Sequence, residues 1–203
     1  FLSNAIKSTL FASSTDEAKQ LLTGVNLTFN GQGVESAATD GHRLAVLNLN
    51  NILYDKNEEQ NNIDSFEKFS ITLPSKSLRE VERFLSNFAN NEPVNFFIDK
   101  GQVVFIASDQ VITIRTLDGS YPNYSQLIPE SFSKTLKFDR KELISSLERI
   151  AVLADQHNNV IKMIADNDSN IVKITTEAQD IGSGSESLAV EICSESFQIA
   201  FNV

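Results

Sequence analysis

One pattern recurs along the chain and constrains it most: an amphipathic helix, three hairpin-linked strands, then a strand that runs straight into the next helix. The helix onsets fall near residues 2, 75 and 139, a spacing that signals a modular architecture. The first helix reads over 2–14, with Leu2, Ile6 and Leu10 recurring every fourth residue and Asn4 and Lys7 turned away from them. The second starts at Pro74-Ser75, where a proline lacks no useful N–H, and runs to about Asn87. Leu78, Val81, Leu85 and Phe88 share one side of it, and Lys76, Arg79 and Arg83 the other. The third follows Asp139, a candidate N-cap with Glu142 three residues on. Leu143, Leu147, Ile150 and Ala154 form its apolar stripe, and Lys141, Ser145 and Arg149 lie away from it.

The β-like runs between the helices are 20–29, 33–38, 44–49, 67–73, 93–98, 102–107, 110–117, 134–138, 159–165, 171–176, 187–192 and 196–202. Asn50 to Asp64 is a polar stretch that reads as a long solvated loop, and Gly182-Ser183-Gly184 as a glycine/serine loop. One helix per unit covers one face of a sheet, so an α+β layered fold follows, with the helices gathered on one face. With 14 Phe and no Trp, the cores are expected to be Phe-rich. Opening on Phe1 and stopping in mid-strand at Phe201-Asn202-Val203, the chain reads as a piece of a longer one.

The densest local signal is Thr39-Asp40-Gly41-His42-Arg43-Leu44-Ala45-Val46. Asp-Gly between two β-like runs marks a hairpin, because the carboxylate bonds back to its own backbone and glycine accepts a positive φ. Beyond the turn, Leu44, Val46 and Asn48 fall on one strand face and Ala45, Leu47 and Leu49 on the other. Both faces start apolar, so coverage on both sides near the turn is expected. His42 and Arg43 then stand at the rim of an apolar patch. Spacing alone reads them as the solvated groups of an ordinary hairpin.

A net charge of −10 argues against affinity for nucleic acid over the whole surface, while leaving room for a local basic strip. Helices facing one way would gather Lys7, Lys76, Arg79, Arg83, Lys141 and Arg149 on one surface, suited to phosphate contact without base readout. On charge alone the solvated face of ordinary helices explains them as well. The single Cys193 cannot form an internal disulfide, which makes a reducing, cytoplasmic setting the default. No apolar run approaches a membrane span.

Catalytic machinery is not legible. Asp40, His42 and a nearby serine could be cast as a small hydrolase, yet no Gly-x-Ser-x-Gly elbow or His-Glu-x-x-His helix is present. His42 and His157, the two histidines, stand about 115 residues apart, so no metal centre and no cofactor are expected.

Ala38-Thr-Asp-Gly-His-Arg-Leu-Ala-Val46, followed by Asp118-Gly-Ser-Tyr-Pro-Asn-Tyr-Ser-Gln-Leu-Ile-Pro129, resembles the bacterial sliding-clamp family, the beta subunits of DNA polymerase III. Ile71-Thr-Leu-Pro-Ser-Lys76 and Phe197-Gln-Ile-Ala-Phe-Asn202 fit as well. The resemblance implies the clamp fold, with helices on the inner rim of a ring and sheets outside. It implies a complete middle domain over 1–128 and the first part of a C-terminal domain over 129–203. It also implies a non-catalytic processivity factor that closes as a homodimer around double-stranded DNA in bacterial cytoplasm.

Carried over position by position, the resemblance puts Thr39, Gly41, His42, Arg43 and Leu44 on the wall of a mostly apolar slot. That slot takes short linear motifs of the polymerase, the clamp loader and repair proteins. Leu22, Pro122 and Leu127 complete it, and Gln126 stands where the family often has a basic residue. The inward, DNA-facing set becomes Lys76, Arg79, Arg83, Lys141 and Arg149, joined by Lys7 and Lys19. A clamp-like interaction module without DNA encirclement is the alternative.

Overall fold

The computed structural model describes residues 2–30, 33–50, 68–88, 92–154, 159–178, 182–192 and 195–202. The polar stretch beyond Asn50, His157 and Cys193 lie outside the described residues. The chain divides into two compact units, Phe1–Gln126 and Leu127–Val203.

In the first unit, α1 (Leu2–Thr9) is followed by β1 (Gly24–Asn30), β2 (Gly33–Thr39) and β3 (Leu44–Asn50), then β4 (Phe69–Pro74) leading directly into α2 (Ser75–Ser86). β5 (Asn95–Asp99), β6 (Gln102–Ala107) and β7 (Gln110–Arg115) close the unit. One antiparallel sheet has the order β3-β2-β1-β4 and the other β5-β6-β7. Both helices and both sheets feed one core, in which Ile6, Val25, Leu27, Leu73, Leu78, Val81, Val103 and Phe105 are fully buried. Each such side chain contributes about 1.5–3 kcal/mol. Phe29 stacks on Phe69 at 4.7 Å and on Phe96 at 5.4 Å, and Phe96 meets Phe105 edge-on at 5.1 Å. The phenylalanines thus bridge the two sheets.

β1 is buried on both faces. Between Val25 and Leu27, Asn26 donates to the Ile71 carbonyl and the Thr72 hydroxyl, and accepts from Thr28. That ladder satisfies a buried polar face, as burial demands.

The second unit has β8 (Leu136–Lys137), α3 (Arg140–Ala151), β9 (Val160–Asp166), β10 (Ile171–Ala178), β11 (Gly182–Ala189), β12 (Glu191–Ile192) and β13 (Phe197–Asn202). Its main sheet runs β11-β10-β9-β13 and packs on α3 through Ile150, Ile161, Met163, Val172 and Ile174. Asp139 caps α3 by accepting from the amides of Lys141 and Glu142, as the sequence predicts.

Several boundaries move. The first helix is α-helical only to Thr9 and tightens to a 3₁₀ turn over Leu10–Ala12. Thr9 donates to the Ala5 carbonyl and Ser13 to that of Leu10, local bonds that compete with the helical ladder. The strand expected over 20–29 begins at Gly24, because Asp16 caps a 3₁₀ segment, Glu17–Thr23, through the Ala18 amide. The run expected over 110–117 ends at Arg115, with Leu117 in an isolated bridge to Thr72. On α2, Phe84 joins the buried row with Leu78 and Val81.

The largest correction is Gly182–Gly184, which is strand and not loop: Ala178↔Gly182 and Thr176↔Gly184 are paired positions of β10 and β11. A Cβ on Gly184 would stand 2.7 Å from Leu153 Cδ1, so glycine lets the end of α3 lie directly on the sheet. The inward row of β11 is Gly184, Glu186 and Leu188, too mixed to show a period of two.

Candidate binding site

β2 and β3 keep pairing to Thr39↔Leu44, leaving a four-residue loop of Asp40, Gly41, His42 and Arg43. Asp40 Oδ1 accepts from the His42 amide at 2.9 Å and the Arg43 amide at 3.0 Å. Its other oxygen accepts from Arg43 Nε at 3.0 Å. Gly41 takes φ +95°, which its type permits without strain. Thr39 ties the loop base, donating from Oγ1 to the Arg43 carbonyl and accepting from the Gly41 amide. Burial pushes the Asp40 carboxyl up, but the two amides and the Arg43 guanidinium outweigh it and hold the group below the usual carboxylate range. Both Asp40 oxygens therefore serve the turn.

The turn presents His42 and Arg43 to solvent, with Leu44 half-buried beneath them. Ala45, Val46, Leu47 and Leu49 are also half-buried, so neither face of β3 near the turn is sealed. The Arg43 guanidinium lies 6.0 Å from the ring centre of Phe11, an aromatic that is 61% exposed. Lys19 Nζ stands 3.9 Å from where a Cβ on Gly41 would be.

A second wall comes from 118–124. The Thr39 amide donates to the Tyr121 hydroxyl at 3.0 Å, and Tyr124 donates to Glu35 Oε1. The two rings meet edge-on at 6.2 Å. Burial raises both phenols, the Thr39 amide partly opposing this at Tyr121 and Glu35 adding to it at Tyr124. Pro122 follows Tyr121 and is exposed. Leu21 packs against Gly119, and the Leu22 carbonyl accepts from the Ser14 amide at 2.8 Å, which holds Leu22, half-buried, in the 3₁₀ segment just before β1.

The first unit so brings Thr39, Gly41, His42, Arg43 and Leu44 into one turn and ties the Tyr121-Pro122 stretch to it. Gln126 is exposed at the end of this unit, and Leu127, 70% exposed, opens the next. Sequence reasoning passed over Phe11, Glu35, Tyr121 and Tyr124 as parts of this site. Only the Tyr-Pro-Asn-Tyr run carried a hint of the tyrosines.

The cations separate differently from expectation. Lys7, Lys76, Arg79 and Arg83 are exposed on α1 and α2, and Lys141 and Arg149 on α3. Lys19 lies in the 3₁₀ segment Glu17–Thr23, off the three α-helices, with its ammonium beside the Gly41 turn. Lys76 pairs with Glu17 at 2.9 Å, Arg83 with Glu80 at 3.0 Å and Lys7 with Glu82 at 3.5 Å. The Lys76 ammonium, by hydrogen bond and charge, holds the Glu17 carboxyl low. Arg149 grips Glu186 with two nitrogens, and the buried Ser146 donates to the same carboxylate. Hydrogen bonds from Arg149 and Ser146 draw the Glu186 carboxyl down to about 2. Among the described residues, Arg79, Lys141 and Lys19 have no ion pair.

A shallow groove of about 500 Å³ beside Arg83, Phe84 and Val111 shares no residue with the turn. Among the described residues, no cluster of three or more His, Cys, Asp or Glu could hold a metal, and no helix is long and apolar enough to cross a membrane.

Two family models cover nearly the whole chain: the central domain of the DNA polymerase III beta subunit over residues 1–123, and its C-terminal domain over 125–203. The chain belongs to the DNA polymerase III beta subunit family. It is 46% identical over 202 residues to the beta sliding clamp of Synechococcus elongatus, covering 100% of this chain and 52% of that one. To the beta sliding clamp of Staphylococcus aureus it is 33% identical, covering 99% and 50%. The solved sliding clamp of Bacillus subtilis superposes with a TM-score of 0.85 at 32% identity, over 99% of this chain and 50% of that one. A Pseudomonas aeruginosa DNA polymerase III beta subunit gives 0.87 at 25% identity, over 99% and 51%. The chain spans about half the length of these relatives. The α+β layered fold read from the repeat, and the clamp fold that the resemblance implies, are the fold of these structures.

Proposed function

We propose that this chain is the middle and C-terminal part of a processivity clamp, a non-catalytic subunit that holds the replicative polymerase on duplex DNA. In the full-length protein two copies close head to tail into a ring, and the clamp acts in bacterial cytoplasm. The turn at Thr39–Leu44, with Leu22, Pro122, Gln126 and Leu127, receives short linear motifs of the polymerase, the clamp loader and repair proteins. An apolar pocket takes the anchor side chains of such a motif, and a few polar groups fix its direction. Lys19, beside Gly41, adds positive charge at the rim of this site, where an acidic motif residue would be met. The exposed cations of α1 and α2, with Lys141 of α3, face the DNA and touch phosphate without reading bases.

The observation that carries this reading is the turn itself, a rigid, internally bonded loop that presents His42 and Arg43 beside half-buried Leu44. The test uses the full-length protein, titrated with a labelled clamp-binding peptide, alongside retention of the loaded ring on circular DNA. Arg83→Glu is expected to shorten retention and leave peptide binding intact. Loss of both together would sink the separation of the two surfaces.

A further inference from the structure

Four cations on the two helices of the first unit, Lys7, Lys76, Arg79 and Arg83, stand with three carboxylates already on them. Glu17 reaches Lys76 from a different element, 59 residues away in the chain, although their side chains are 82% and 87% exposed. Glu82 of α2 reaches Lys7 of α1, and Glu80 accepts from Arg83 through both oxygens, at 3.0 and 3.3 Å. A carboxylate on a lysine or arginine occupies the place that a phosphate oxygen would take. In water these exposed pairs are weak and exchangeable.

The second unit differs. Arg149 is held by two nitrogens on Glu186, whose side chain is only 24% exposed and which also accepts from Ser146. That pair joins α3 to β11, and releasing Arg149 breaks two hydrogen bonds while Ser146 keeps the carboxylate in place.

We propose that Glu17, Glu80 and Glu82 stand in for DNA phosphates on Lys76, Arg83 and Lys7, so that duplex DNA reaches these cations only by displacing a carboxylate. Arg79 and Lys141 are the open phosphate contacts, and Arg149 is withdrawn from DNA altogether. The inference rests on the reading that the helix faces meet DNA, and it specifies how strongly they do so. A tethered carboxylate beside each cation repels the phosphate that the cation attracts. The effective number of neutralised phosphates, and with it the salt dependence of binding, is therefore kept low. A weak grip of this kind suits a surface that must move along DNA.

The test titrates a short fluorescent duplex with the full-length protein over a series of salt concentrations. The triple variant Glu17→Gln, Glu80→Gln, Glu82→Gln is compared with the parent. Each cation freed is expected to steepen the slope of log K against log salt by about 0.9. Between about 50 and 200 mM salt that makes affinity fall about three- to fourfold further per cation. A control carrying Glu92→Gln, Asp99→Asn and Asp109→Asn changes the net charge equally and should leave the slope as it was. An unchanged slope in the first variant, or an equal change in both, overturns the proposal.

Arg79→Ala separates this from the reading beneath it. If Arg79→Ala leaves duplex binding unaltered, the helix faces do not meet DNA and both fail. If it weakens binding while the triple variant matches the parent, only the carboxylate proposal fails. Arg149→Ala should destabilise the second unit to urea without changing the salt slope. A slope lowered by about 0.9 would return Arg149 to the phosphate contacts.

Discussion

The backbone amide of Thr39 donates to the hydroxyl of Tyr121 at 3.0 Å, joining the last residue of β2 to a segment 82 residues further along. Thr39 is also the base of the turn, through its bonds to Arg43 and Gly41. A single residue therefore holds both walls of the candidate peptide site. Tyr121→Phe removes the acceptor and keeps the ring, leaving the part-buried amide unpaired. A loss of about 1–3 kcal/mol in urea unfolding is expected, with peptide affinity weakened several-fold. Unchanged affinity would mean that the bridge between Thr72 and Leu117 fixes the second wall without help from Tyr121.

Leu44 is half-buried below the exposed His42 and Arg43. Leu44→Asp places a charge where the peptide site needs an apolar floor, and burying an unpaired carboxylate under a ligand is costly. Peptide binding is expected to fall more than about tenfold, equivalent to about 1.4 kcal/mol. Retention on circular DNA should persist. Calorimetric titration of the full-length protein decides it, and peptide affinity equal to the parent's would remove Leu44 from the site.

Legibility in the sequence followed the strength of local chemistry. Asp40-Gly41 and Asp139 each carry their structure in one or two side chains that bond to nearby amides, and both read correctly. The helix stripes read correctly because burial of Ile6, Leu78, Val81 and Ile150 follows the 3.6-residue period. β11 did not, since Gly184 and Glu186 owe their strand positions to α3: one makes room for Leu153, the other meets Ser146 and Arg149. Tertiary contacts of that kind leave no period in the chain. The same holds for Lys19 and Tyr121, whose places depend on the 3₁₀ segment before β1 and on a bond across 82 residues. Charge pairing was equally hidden, because Glu17 and Lys76 lie far apart in sequence and 2.9 Å apart in space.

Asp139 satisfies two of the free amides at the start of α3. Asp139→Ala leaves them to water and also removes a negative charge from the positive end of the helix. A cost of about 0.5–2 kcal/mol is expected in the unfolding of the second unit, followed by chemical denaturation. Peptide binding in the first unit should not respond. Asp139→Asn, which keeps an acceptor, should recover most of the loss.

Glu186 gives the second unit an acid limb. Its carboxyl falls from 4.5 to about 2 on folding, so between those values the unfolded chain binds more protons than the folded one. The stabilisation is therefore complete above pH 4.5 and is lost as pH falls toward 2. Glu186→Gln keeps an acceptor for Ser146 and removes the titration. Melting temperatures of parent and variant are expected to differ most near neutral pH and to converge as acid protonates the parent. A difference that stays constant from pH 6 to about 2 would mean that the Arg149 and Ser146 bonds form equally well to the neutral group, and that no stability is linked to this carboxylate.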